Sequence, residues 1–456
     1  MKSVLSVLFR CRLAGVLLAS ALLAQTAAAQ GQKAQKIHYT VTDLGPANGS
    51  TPGQPFVIKN NGLMSGAASV SGAWHATLSF LGTQIDLAKT GGLGGPNSSA
   101  FGVNERGQAV GEAETKDAGP NYEDFCGFGS QRDCQAFIWQ NGVMSALPLL
   151  KDATGVAGRD AVAKGINLLG QVAGVAENTT FDSTCPLYDP SPTALQFQSY
   201  QFKPVIWKNG EIQQLPTSGN DSNGKAFNDP DGVAFSINDR GQAVGATGTC
   251  TGYTPFLTYL NAVHATLWQN GSAIDLGNLG GIGPTGIGNF AYDVNRLGHV
   301  VGTSGTSNGS FHAFFWSPEA LIQDLGTVQG DVASASIAIN DIGDIGGVSF
   351  PADPTASPRA FIRPDGGTME DLNSLIPADS ALYLFSVCSI NSRGEIIGLA
   401  LDAQGNFHGY LATPNNGAPG SSPEFSTVSR SARFDYAWSL VRDHLGPFGT
   451  GLLRRR

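Results

Sequence analysis

The segment Asn220-Asp221-Ser222-Asn223-Gly224 leads directly to Asn228-Asp229-Pro230-Asp231-Gly232. Clustered carboxylate and amide oxygens between glycine turns are the donors that a hard divalent cation prefers. Asp221, Asn223, Asp229 and Asp231 are therefore candidate calcium ligands, and calcium is the one cofactor the sequence suggests. The distal glutamate of an EF-hand loop is missing, and ordinary solvated turns use the same residue types. A second constellation is aromatic: Tyr122 and Phe125, Tyr200 and Phe202, then Tyr253, Phe256 and Tyr259. Aromatic faces beside Asp, Asn and Gln can stack on and hydrogen-bond a glycan or peptide, and can equally pack on one another. His75, His264, His312 and His408 recur in one local context, which points to a shared structural hydrogen bond rather than catalysis. Gly91-Gly92-Leu93-Gly94-Gly95 lacks the strand-to-helix setting of a phosphate cradle, and no nucleophile motif appears. No catalytic residue is assigned.

The elements that must position these groups repeat. An apolar residue, Asn, two variable residues and Gly occur as Val103-Asn104-Glu105-Arg106-Gly107, with Ala109-Val110-Gly111 behind them. Further copies centre on Asn167, Asn238, Asn295, Asn340 and Asn391, and the first, Ile58-Lys59-Asn60-Asn61-Gly62, carries lysine at the asparagine position. Each unit adds a strand like His264-Ala265-Thr266-Leu267-Trp268 and a turn such as Asn141-Gly142, Asn209-Gly210 or Asn270-Gly271. Asn-Gly tolerates the positive φ angles of a two-residue hairpin turn. The fourth strand ends in Asp-Leu-Gly, as at Asp275-Leu276-Gly277 and Asp324-Leu325-Gly326. Seven such units predict an all-β chain, a seven-bladed β-propeller of four-stranded blades.

Closure is predicted from the two chain ends. Tyr39 to Leu44 is an Asp-Leu-Gly strand without its partner, and His408 to Ala412 is a partner without a follower. Pairing them closes the ring and removes exposed sheet edges, which an open solenoid would keep. Trp139, Trp207, Trp268 and Trp316 sit at equivalent strand ends and are expected to pack between blades. Long insertions at residues 112–134, 175–203 and 246–263 fall on one face, and the other carries tight turns. Residues that break a repeat are the ones free to serve function, so the decorated face is the expected ligand face.

These motifs resemble the bacterial extracellular HAF repeat family, named for the sequence seen here as His312-Ala313-Phe314. The Asp-Leu-Gly, Ile-Asn-x-x-Gly and Val-Gly elements match that pattern over about residues 39 to 412. The resemblance implies an exported or surface protein and no assigned chemistry.

Residues 1–29 have the form of a signal peptide: basic Lys2, Arg10 and Arg12, an apolar run from Leu13 to Leu23, then Ala27-Ala28-Ala29. That run is too short for a comfortable bilayer span, so no transmembrane segment is expected after its removal. The propeller is expected over residues 37–413 and a Pro-, Gly- and Ser-rich linker over 414–431. The tail, 432–456, places Phe434, Trp438, Val441 and Leu445 on one helical face. Net charge is −9, and since leader and tail are both basic, the body is acidic. An acidic body excludes nucleic acid as a partner. Cys126 with Cys134 and Cys185 with Cys250 are disulfide candidates, and Cys388 lies in an apolar strand as a buried thiol. The chain is thus expected to be a secreted, periplasmic or cell-surface monomer. Its expected role is a non-enzymatic scaffold that binds a glycan or an envelope or matrix protein. A polysaccharide hydrolase or lyase with an axial site is the alternative, and a purely structural surface component the third reading.

Overall fold

The computed structural model describes residues 37–46, 54–89, 92–119, 124–184, 200–221, 223–250, 260–281, 288–353 and 355–415. The chain divides into two units at His38/Tyr39, and of the first only Ile37 and His38 are described. The expected signal peptide (1–29), the linker beyond residue 415 and the tail (432–456) lie outside these residues.

Seven four-stranded antiparallel sheets form the blades of a β-propeller. Blades 1 to 6 occupy residues 54–86, 94–146, 161–214, 231–275, 290–324 and 331–371, each running from inner to outer strand in chain order. Blade 7 takes three strands from residues 383–415, and its outermost strand is His38–Pro46. The two chain ends therefore close the ring as the half-units predict. An extra hairpin, Ser218–Asn220 with Ala226–Asn228, lies between blades 3 and 4. Among the described residues no helix is long and apolar enough to cross a membrane.

The repeated motifs each have a local physical reason. Asp324 of the Asp-Leu-Gly element accepts from the Gly326 N–H at 2.7 Å, turning the chain, and its carboxylate meets His312 Nδ1 at 2.9 Å on the neighbouring strand. His75 pairs with Asp86 at 2.8 Å in the same way, and His408 with Asp43 at 2.9 Å across the closure. His264 turns instead to Asp229, at 2.9 Å. In the hairpin turns Asn141 and Gly142 take φ of 53° and 84°, the left-handed values the pair was expected to supply. Trp207 and Trp268 are each 2 % exposed and donate their indole N–H at 2.7 Å to Pro148 and Pro216 in the links between blades. Trp207 packs with Val205 against Val110 and Ala136 of the preceding blade. Burying a side chain of this size contributes about 1.5–3 kcal/mol or more.

One feature of the inner strands is repeated seven times. Each skips one residue in its pairing, a bulge that falls three positions before the repeat Asn or its Lys59 substitute. The skipped residues are Phe56, Phe101, Lys164, Phe235, Tyr292, Ile337 and Cys388. Beside the bulge the backbones approach so closely that the second strand must carry glycine. A Cβ on Gly111 would stand 1.9 Å from the Ser99 carbonyl oxygen, and one on Gly302 would stand 1.9 Å from that of Phe290. The recurrent Val-Gly dipeptide is thus the partner of the bulge.

Cysteine use follows expectation where it is described. Cys126 and Cys134 form a disulfide with S–S 2.05 Å, Cys250 is also disulfide-bonded, and Cys388 is a buried free thiol. Cys185 lies outside the described residues.

Candidate functional site: the axial cavity

A bulge re-aims the residue it inserts, and here seven bulges aim seven side chains at the axis. They line a cavity of about 350 Å³ that reaches up to the tight Asn-x-x-Gly turns. Its base is largely aromatic. Phe56 and Phe101 meet edge to face with centroids 5.0 Å apart, and Phe235 lies 5.6 Å from Tyr292. Lys164 Nζ sits 3.7 Å from the Phe101 ring centroid, a cation–π contact that keeps an ammonium within an apolar ring.

Above the bulges the turns are tied into a circle. Nδ2 of each repeat Asn donates to the backbone carbonyl of its counterpart in the next blade. Asn104 reaches Asn167 at 3.0 Å, Asn167 reaches Asn238 and Asn238 reaches Asn295 at 2.9 Å. Asn295 reaches Asn340, Asn340 reaches Asn391 and Asn391 reaches Lys59, all at 3.1 Å. Oδ1 of the same side chain closes its own turn, as when Asn238 accepts from the N–H groups of Arg240 and Gln242 at 3.0 and 3.1 Å. Asparagine is required because one side chain must donate and accept at once. Lys59 interrupts the circle. Among the described residues its ammonium makes no hydrogen bond or ion pair.

Asp293, one position above the bulged Tyr292, is the carboxylate in the cavity wall. It accepts from the Ser236 hydroxyl at 2.8 Å, the Val294 N–H at 2.9 Å and the Ile339 N–H at 3.0 Å. Burial raises its pKa above the ordinary carboxylate value, while those donors and the charge of Lys59 hold it down. At the mouth, Asp239, Asp341 and Asn60 accept backbone N–H groups of Leu168, Arg296 and Ser392 at 2.8, 2.9 and 2.7 Å, stitching neighbouring blades.

The residues expected to form a site are described only in part. Phe125 and Phe202 are 1 % and 0 % exposed and belong to the core. Tyr200 is half-buried at a strand start; Tyr122, Tyr253, Phe256 and Tyr259 lie outside the described residues. Asp221 closes the turn of the small hairpin, accepting from the N–H groups of Asn223 and Lys225 at 2.9 and 2.8 Å. Asp229 serves His264 and the Thr247 hydroxyl, the latter at 2.6 Å. Asp231 Oδ1 accepts from Phe202 N–H at 3.0 Å, much as Asn97 accepts from Trp74 N–H at 2.9 Å one repeat-equivalent position elsewhere. Three of the four candidate calcium ligands are thus held in separate structural bonds. Among the described residues the cluster that comes within metal-holding distance is Glu112 with Cys126 and Cys134, whose sulfurs are joined in the disulfide.

The axial ring was not singled out by motif. Its signal is nevertheless present: the third residue before each repeat Asn varies from Phe to Lys to Cys, whereas its neighbours, Asp293 apart, stay small or aliphatic.

Fold and cavity together define a closed seven-bladed repeat propeller with a polar-rimmed, aromatic-based axial site. No protein-family model matches the chain, and no curated protein matches it. Among solved structures it is similar to the acylaminoacyl peptidase of Pyrococcus horikoshii, with a TM-score of 0.40 and 11% identity over 83% of this chain. That match spans 52% of the peptidase, about half its length. It is also similar to the Aleuria aurantia lectin solved with Fucα1-6GlcNAc, with a TM-score of 0.32 and 8% identity over 84% of this chain and 99% of the lectin. Neither likeness carries the functional reading below.

Proposed function

We propose that the protein is an exported, non-enzymatic binding scaffold whose axial cavity receives a small cyclic ligand such as a sugar. The observation that carries this reading is the ring of bulged residues. The repeat keeps its second-strand glycine and its Asn-x-x-Gly turn in nearly every blade, yet at the bulged position, which faces the cavity, it supplies seven side chains of five types. Variation at a position that faces a cavity is what ligand selection requires, while a structural plug would need only one well-packed residue type.

The cavity's carboxylates speak against hydrolysis. Glycoside cleavage uses two carboxyl groups flanking the scissile bond; Asp293, Asp239 and Asp341 are each engaged with protein donors, which leaves Glu105 at the mouth without a second free carboxylate beside it in the lining. Export is supported by the signal-like leader and by the Cys126–Cys134 disulfide, which persists in an oxidising compartment. The resemblance to extracellular HAF repeats agrees with it.

A panel of free sugars and oligosaccharides, titrated calorimetrically into the mature chain beside a polysaccharide turnover assay, tests the reading. Binding abolished by Ile337→Trp, which fills the cavity, is expected. Binding that survives Ile337→Trp and disappears on shortening residues 112–134 or 175–203 would move the site to the decorated face. Turnover of a polysaccharide would overturn the non-enzymatic reading.

A further inference from the structure

The circle of asparagines is broken at Lys59, and the break lies over the cavity. Six side-chain amides link successive blades, and each uses both ends of its amide. At the seventh position lysine offers a donor on a stem long enough to leave the turn. Its backbone still behaves as the repeat demands: the Lys59 N–H donates to the Leu63 carbonyl at 3.0 Å, and its carbonyl receives Asn391. Only the side chain has been released from structural duty.

Three features define what that ammonium would meet. Across the cavity wall stands Asp293, whose two oxygens already accept three hydrogen bonds, so it balances the field of Lys59 without occupying it. Below lie Phe56, Phe101, Phe235 and Tyr292, a base that suits the face of a ring. Around the mouth stand Glu105, Asp239 and Asp341, on a chain whose body is acidic. That rim disfavours polyanions and multiply charged phosphates by long-range repulsion, and leaves room for a single negative charge placed on the Lys59 ammonium, which among the described residues makes no hydrogen bond or ion pair.

We infer that Lys59 is the charge-reading residue of the axial site and that the ligand class is a cyclic monocarboxylate, such as a uronic acid or an aromatic acid. The inference rests on the axial-binding reading above and narrows it. Lysine at this position gives up the direct amide link of the circle, a seam that Asn61 Nδ2 spans instead by donating to the Glu105 carbonyl at 3.2 Å, in exchange for selectivity toward an anionic group.

The experiment titrates glucuronate and benzoate, with methyl glucoside and benzamide as neutral counterparts, into wild type, Lys59→Met and Lys59→Asn. The expected result is binding of at least one acid in wild type, with its neutral counterpart at least tenfold weaker. Lys59→Met should weaken the acid at least tenfold at unchanged melting temperature. Lys59→Asn should weaken it similarly and raise the melting temperature, because it restores the missing amide. Acid affinity indifferent to both substitutions overturns the inference, as does equal affinity for acid and neutral form. Failure of all four probes to bind also overturns it. A neutral sugar that binds all three proteins alike, and is excluded by Ile337→Trp, would overturn this inference while keeping the axial-binding reading.

Discussion

Nδ2 of Asn391 donates to the backbone carbonyl of Lys59 at 3.1 Å, joining residues 332 positions apart and carrying the asparagine circle across the seam between the last blade and the first. The circle gives six of the seven seams a polar tie at the crowded centre, where the turns expose backbone groups that must be satisfied.

Breaking a link should therefore be costly. Asn238→Ala removes a donor to the Asn295 carbonyl, a donor to Gln242 and the acceptor of two turn N–H groups. A loss of about 1–3 kcal/mol is expected in urea unfolding. Lys59→Met, which removes no protein hydrogen bond, should stay within about 0.5 kcal/mol of wild type. Equal losses for the two would mean that the amides do not tie the blades.

Gly302→Ala tests the coupling of bulge and glycine. The new methyl carbon would begin 1.9 Å from the Phe290 carbonyl oxygen, a backbone atom that cannot step aside. A loss of about 3 kcal/mol or more is expected, or failure to fold. A melting temperature matching wild type would show that the strands are not so closely apposed.

The architecture was legible because its devices are local and repeated. Asn141-Gly142 announces a hairpin whatever lies around it, and the half-units at Tyr39 and His408 disclose closure by what each lacks. The axial site was hidden for the opposite reason. Phe101 and Lys164 look like ordinary strand residues until the pairing shows that each is a bulge, and pairing is a relation between strands. The aromatic insertions drew notice by composition, yet Phe125 and Phe202 are core, Phe202 as part of the strand Tyr200–Lys208. Lys59 was visible as a departure from the repeat, and its meaning depended on the circle it interrupts.

A pH dependence follows from Asp231. Its side chain is fully buried, Oδ1 accepts from the Phe202 N–H, and Oδ2 finds no donor. Burial and then the neighbouring Asp182 carboxyl push it up to about 9, against the pull of Phe202 N–H and Lys203. The folded chain then holds a proton that the unfolded chain releases above its ordinary value of 3.8. This group's contribution to stability should thus fall as pH rises from about 4 to about 9 and level off beyond. Asp231→Asn mimics the protonated form, and should flatten that slope and stabilise the protein at pH 8.5 by about 1–3 kcal/mol. Urea unfolding at pH 5.5, 7 and 8.5 decides it; an unchanged slope in the variant would place the titration elsewhere.

Closure through the first strand predicts two different outcomes for two changes. His408→Ala removes a pair whose aspartate is 47% exposed and a longer contact to Asp402 at 3.5 Å, and should cost about 1 kcal/mol. Removing residues 38–46 uncovers the edge of Phe407–Asn415, and an unpaired edge invites association. Light scattering should show the truncated chain self-associating while His408→Ala keeps the mass distribution of wild type. A truncated chain that scatters like wild type would contradict the closure.

The most direct test of axial binding is photo-crosslinking of the chain with azidobenzoate, followed by peptide mapping. Labels that excess benzoate suppresses are predicted on residues 56–60, 101–105, 235–239 and 292–296. Suppressible labels confined to residues 112–134, 175–203 or 246–263 would contradict the account.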